Sequence, residues 1–176
     1  SRMPEALSNF KRLLVSTLQI KIRKPLLVLV PTGLDPKLFE LERCLNQLGF
    51  SKQLSNKNSL EADVIWELGS LKVCIGSGKF FDWASLAEVG LANAGTATEQ
   101  LVGLGVPCVS LPGKGPQFKK SFAFRQSRLL GGAVIPCKTS KRLARSVELL
   151  LSSQSLRNDI CIKGVKRMGT KGGSEL

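Results

Sequence analysis

Two short apolar runs, residues 89–92 and 106–111, bracket a segment that opens on Asn93-Ala94-Gly95-Thr96-Ala97-Thr98-Glu99-Gln100 and is stopped by Gly105. Runs of that length between turn signals read as buried strands, and the segment between them reads as a helix over residues 96–104. Strand, turn, helix and strand in direct succession form a parallel crossover, which commits the chain to an α/β sheet. The turn also carries possible chemistry. A helix start offers free N–H groups and the positive end of the helix dipole, both suited to a phosphate. Gly95 lets the backbone come close to a ligand, and Thr96 and Thr98 add hydroxyls with little bulk. An ordinary strand–helix turn with a glycine in it fits the local pattern equally well, so both readings stay open at this point.

The same alternation runs along the chain. Leu7, Phe10, Leu14 and Leu18 predict a helix over residues 4–19, and residues 25–30 read as a buried strand. Asp35-Pro36 reads as a helix cap, with the stripe Leu38, Leu41, Leu45 and Leu48 closed by Gly49. Residues 51–58 read as a loop, 64–66 and 71–75 as strands, and Asp82 as the cap of a short helix. Residues 122–130 predict a helix, 133–136 a strand, Ser140 a cap for a helix that turns Leu143, Val147 and Leu150 inward, and 156–168 a last helix. No hairpin signal stands out. The expectation is one α/β domain with a Rossmann-like parallel sheet, helices on both faces, and Val28, Val73, Leu91, Val109 and Val134 on central strands. Loops 76–81, 93–98 and 112–118 then share the carboxyl rim, where such sheets bind ligands.

Composition narrows the function classes. The chain has no histidine, which removes the commonest general base, the usual zinc ligand and every Ser-His or Cys-His pair. Five dispersed cysteines with no C-x-x-C spacing fit reduced, buried thiols in a cytoplasmic protein, with no metal and no cofactor. No apolar run approaches a membrane span, and the first residues lack the apolar core of a signal peptide. A formal charge of +13 favours anionic partners: nucleotide phosphates, anionic lipid head groups or nucleic acid. Aromatics are only 6% and tyrosine is absent, so the stacking platform of a single-strand binder is missing and no nucleic acid is expected.

Four segments resemble the C-terminal, donor-binding domain of GT-B glycosyltransferases, and most narrowly the proteins related to lipid-A-disaccharide synthase. Ser1-Arg2-Met3-Pro4-Glu5 is similar to the end of that family's "LLPGSR-x-x-E" motif. Residues 94–100, with Gly105 and Pro107, are similar to its "SGT-A-x-x-E…P" core. Residues 111–118 and 126–131 are similar to a signature of the related subgroup, and residues 166–174 to the tail motif. The resemblance implies a domain trimmed at both ends, its N-terminal acceptor domain absent. It implies a UDP-sugar substrate, of the UDP-N-acetylglucosamine type, with a lipid or similar acceptor met through the missing domain. The basic C-terminal half fits docking on the inner face of an anionic membrane, where a lipid acceptor would be, and the resemblance implies no turnover by this part alone. By that likeness Gly95, Thr96, Ala97 and Thr98 take the diphosphate, and Arg2 adds charge from an opposite loop. Gly113, Lys114, Gln117, Phe118 and Gln126 approach the sugar or the phosphates. The family's ribose-binding carboxylate falls on Gln100 here, with Glu99 one residue early. One helix step turns a side chain by about 100°, so only one of the two can face the ribose. A sugar-nucleotide epimerase-like domain, or a basic α/β module for nucleic acid or anionic membrane, are the alternatives.

Overall fold

Two sheets carry the fold of the computed structural model, which describes residues 3–54, 59–113 and 118–169. The elements follow in the order α1 (Glu5–Thr17), β1 (Leu26–Thr32), α2 (Leu38–Gln47), β2 (Ser51–Lys52), β3 (Val64–Leu68), β4 (Leu71–Ser77) and α3 (Phe80–Ala84). Then come β5 (Gly90–Leu91), α4 (Thr96–Gly103), β6 (Cys108–Ser110), α5 (Lys120–Leu129), β7 (Val134–Pro136), α6 (Ser140–Ser152) and α7 (Gln154–Met168). One sheet has the order β1-β4-β3-β2, and the other β5-β6-β7. The second is wholly parallel; in the first, β1 and β4 are parallel and β3 is antiparallel to both its neighbours. The protein is α/β with a Rossmann-like arrangement of parallel strands and surrounding helices.

Helices cover both faces of the β5–β7 sheet, and the strand period shows how. Val109 packs with Leu143, Val147 and Leu150 of α6, whereas its neighbour Cys108 packs with Val102 of α4 and Met168 of α7. Successive strand residues point to opposite faces, so α6 and α4/α7 lie on opposite sides. A Cβ on Gly164 would come 2.7 Å from Val102 and 2.8 Å from Ala133, so only glycine lets α7 sit this close. In the other sheet Val73 and Ile75 pack with Leu14 of α1 and with Leu41 and Leu45 of α2. Complete burial of a side chain such as Leu45 stabilises the fold by about 1.5–3 kcal/mol.

Several local expectations differ from the structure. β3 and β4 form a hairpin through Gly69-Ser70, with Gly69 at φ +60°, where a mainly parallel sheet was expected. Gly-Ser between two strands is a two-residue hairpin signal, and ending the first run at Trp66 puts four residues between the strands and hides it. Ser51–Lys52 is a short strand, since Gln53 N–H and its neighbours complete the edge of β3. Asp35 lies ahead of α2, whose start is closed by Lys37 N–H donating to Glu40 Oε2 at 2.8 Å. Asp82 lies inside α3, and Thr139, one residue before Ser140, caps α6 by accepting from Arg142 N–H at 3.2 Å. Val73 and Val109 lie on interior strands, while Val28, Leu91 and Val134 lie on edge strands of the two sheets.

All five cysteines are free thiols, and Cys44, Cys74, Cys108 and Cys137 are buried. Burial pushes the Cys108 thiol up from the ordinary 9.0 to about 12. The folded state therefore keeps a proton that the unfolded thiol releases, so this contribution is intact below pH 9 and is lost as pH rises toward about 12. Urea titrations between pH 8 and pH 11 are expected to show falling stability, with a smaller fall in Cys108→Ala; equal slopes in both would refute the assignment. Among the described residues no helix is long and apolar enough to cross a membrane, and no group of His, Cys, Asp or Glu is placed to hold a metal ion.

Candidate functional site

The carboxyl rim of the parallel sheet is built around one buried asparagine. Asn93 follows β5 and is only 5% exposed. Its Nδ2 donates to Leu111 O at 2.8 Å and to Asn9 Oδ1 at 3.3 Å, and its Oδ1 accepts from Leu111 N–H at 2.8 Å. One amide thereby joins the loop after β5 to the loop after β6 and to α1. Arg12, one turn along α1 from Asn9, donates from Nη2 to Pro112 O at 3.0 Å. These bonds set the position of the turn that follows Asn93.

That turn is held by two buried side chains. Thr98 is fully buried, and its hydroxyl donates to Ala94 O at 2.6 Å. Gln126 of α5, 3% exposed, donates from Nε2 to Ala94 O and to Gly95 O, each at 3.2 Å. Two carbonyl acceptors require the amide nitrogen to face them, which settles the orientation of this side chain. Gly95 O also accepts from the Thr98 and Glu99 N–H groups. So the carbonyls of the turn are satisfied, while the N–H groups of Gly95, Thr96 and Ala97 have no partner among the described residues. The N-cap position of α4 is Gly95, which has no side chain to cap it, and no other side chain among the described residues does so. An uncapped helix start with free donors is an anion-binding arrangement. Gln126 Oε1, on the amide that braces this turn, is buried and lacks a partner among the described residues, as does Ser110 Oγ at the end of β6. Buried polar atoms in that state call for a partner such as water or ligand.

The residues expected at the site fall into distinct groups. Gly95 and Ala97 are half-buried at the helix start, and Thr96 is exposed. Gly95 has φ −80°, and a Cβ there would meet only Phe122 Cζ at 3.9 Å, so the fold itself does not require glycine. Thr98 and Gln126 brace the turn from beneath it. Glu99 and Gln100 are both exposed on the first turns of α4. Phe118 is buried and stacks edge-on with Phe122 at 5.5 Å, and its carbonyl accepts from Gly113 N–H at 3.1 Å. Arg2, Lys114 and Gln117 lie outside the described residues.

The loops at 93–98 and 112–113 meet through Asn93 and Leu111. The third expected loop, 76–81, ends β4 in the other sheet and is tied elsewhere. Ser77 N–H donates to Asp63 at 2.8 Å, Lys79 pairs with Glu61, and Trp83 Nε1 donates to Leu60 O at 3.1 Å. The hydrogen bond from Lys79 holds the Glu61 carboxyl below its usual range and raises Lys79 in turn. Asn9 and Arg12 were missed as rim residues. Their signal was present: two polar residues three apart on a helix whose neighbours Leu7, Phe10, Leu13 and Leu14 are apolar. No protein-family model matches this chain, nor does any curated protein or any solved structure.

Proposed function

We propose that this chain is the donor-binding domain of a glycosyltransferase of the kind related to lipid-A-disaccharide synthase, and that a UDP-sugar places its diphosphate on the Gly95–Thr96–Ala97 turn. One observation carries the reading: three neighbouring N–H groups at the helix start have no partner among the described residues, while Ala94 O and Gly95 O are held from behind. Such donors need no rearrangement to meet an anion. They bind a diphosphate and strengthen as it takes on charge while leaving the sugar, which is the differential stabilisation that transfer requires. The Thr96 hydroxyl, exposed on the same turn, adds a further donor. Thr98, Gln126 and Asn93 act as positioning residues under this reading. The acceptor hydroxyl must also lose a proton. The chain has no histidine, and in this reading the base belongs to a second domain facing the turn.

Titration of the ¹⁵N-labelled chain with UDP and UDP-N-acetylglucosamine tests this. The expected result is saturable shifts at the amides of Gly95, Thr96 and Ala97, with smaller ones at Gly113 and Phe118. Shifts confined to residues 163–169, or none up to millimolar ligand, would overturn it.

A further inference from the structure

Helices α1 and α2 pack on the first sheet through Leu14, Leu41 and Leu45, which meet Val73 and Ile75. A cleft of about 490 Å³ lies between the two helices, within the size range of small-molecule sites. Helix spacing builds its walls. Leu7 and Lys11, four apart, line it from α1. Phe39 and Arg43, four apart, line it from α2, with Glu40 and Cys44 beside them. Leu7 is half-buried and Cys44 is buried, so part of the wall is apolar. Phe39 is 59% exposed. Covering an aromatic ring that stands this far in water is a favourable source of binding energy.

The lining carries a surplus of positive charge. Lys11 and Arg43 come from different helices, and neither has an ion-pair partner among the described residues. The carboxylate in the lining, Glu40, is already engaged. Its Oε2 accepts from Lys37 N–H at 2.8 Å and closes the start of α2. Arg43 lies over the Phe39 ring, 5.9 Å from its centroid. A guanidinium stacked on a ring keeps its N–H groups in its own plane, where they can meet a carboxylate side-on. Burial raises the Cys44 thiol above its ordinary value; against it Lys11 lowers the thiol, Glu40 raises it and Arg43 lowers it. All three charges therefore act on one point of the lining. A cleft with surplus charge of one sign concentrates small ions of the other.

We infer that this cleft binds an aliphatic carboxylate, its head on Arg43 and Lys11 and its chain along Leu7 and Phe39. Each part of the lining selects against a simpler ligand. An inorganic anion would leave the Phe39 ring in water. A neutral alkyl chain would leave both cations unmatched, and an alkylammonium would meet them with like charge. The cleft shares no lining residue with the Gly95 turn, which belongs to the β5–β7 sheet, so this inference stands independently of the ligand assigned there.

The test is titration of the ¹⁵N-labelled chain, followed by NMR, with sodium octanoate, sodium acetate and octylammonium chloride. The expected result is saturable shifts with octanoate at the amides of Leu7, Lys11, Phe39 and Arg43. Octanoate is expected to bind about tenfold or more tighter than either acetate or octylammonium. Arg43→Gln and Phe39→Ala are each expected to weaken octanoate about tenfold. Both side chains are exposed, and an unchanged amide spectrum of the β5–β7 sheet shows that each variant is folded. Equal affinity for octanoate and acetate overturns the inference, since the cations would then hold an adventitious ion only. Equal affinity for octanoate and octylammonium overturns it too, as does full octanoate binding in folded Arg43→Gln. No saturation up to millimolar octanoate, or shifts confined to other parts of the chain, has the same result.

Discussion

Thr96→Asp is expected to stabilise the protein and, at the same time, to reduce its affinity for UDP by about 100-fold or more. The two effects have one origin. Thr96 is the first residue of α4, exposed, beside N–H groups that carry the positive end of the helix dipole. A carboxylate there adds to the negative charge that Glu99 already brings to the first turn, a gain of about 0.3–1 kcal/mol. A diphosphate would seek the same donors. Two like charges about 4 Å apart near a protein surface repel by about 4 kcal/mol, and even half of that exceeds a tenfold loss of binding. Thr96→Val, which removes only the hydroxyl, is expected to cost about 0.5–1.5 kcal/mol of binding, or up to about 3 if the partner is charged. Calorimetric titration with UDP and thermal melting of the same samples would check both signs. Unchanged UDP affinity in the aspartate variant would remove the turn from the binding site, whatever happened to the melting temperature.

Asn93→Leu is expected to cost about 3 kcal/mol of stability, a large share of the roughly 5–15 kcal/mol that holds a domain folded. The replacement is apolar and of similar size, so it leaves little void. The loss comes from the groups left behind: Leu111 N–H and C=O, both within 2.8 Å of the Asn93 amide, are stranded inside the protein. Each unmade buried bond costs about 1–3 kcal/mol, far more than the net gain of making one in water. Urea unfolding gives the number directly. A change below about 0.5 kcal/mol, the range of an ordinary surface substitution, would mean that the joint between the β5 and β6 loops is not the brace described here.

The parts of this fold legible in the sequence are those encoded by short-range periods. The stripe Leu38, Leu41, Leu45 and Leu48 became α2, the run after Pro25 became β1, and the 96–104 segment became α4, each within a residue or two. The turn at Gly95 was legible as a helix start for the same reason. The roles inside it were not. Thr98 and Thr96 are the same residue type two positions apart on one helix turn. Only one is buried against Ala94 O, and the hydroxyl itself carries no mark of which. Gln126 holds the carbonyls of Ala94 and Gly95 from a helix 31 residues away in sequence, a link that no local pattern records.

By itself, then, the sequence determined the elements, the α/β class and the place where a helix opens without a cap, because helix and strand periods, glycine stops and proline starts act over a few residues. Tertiary structure decided the order of the strands, the division into two sheets and the direction in which each polar side chain of the rim points. Those depend on which distant segments meet, as Asn93 meets Leu111 and Arg12 meets Pro112. A backbone amide takes whatever partner the packing of the core brings within 3 Å, and no local pattern records that choice.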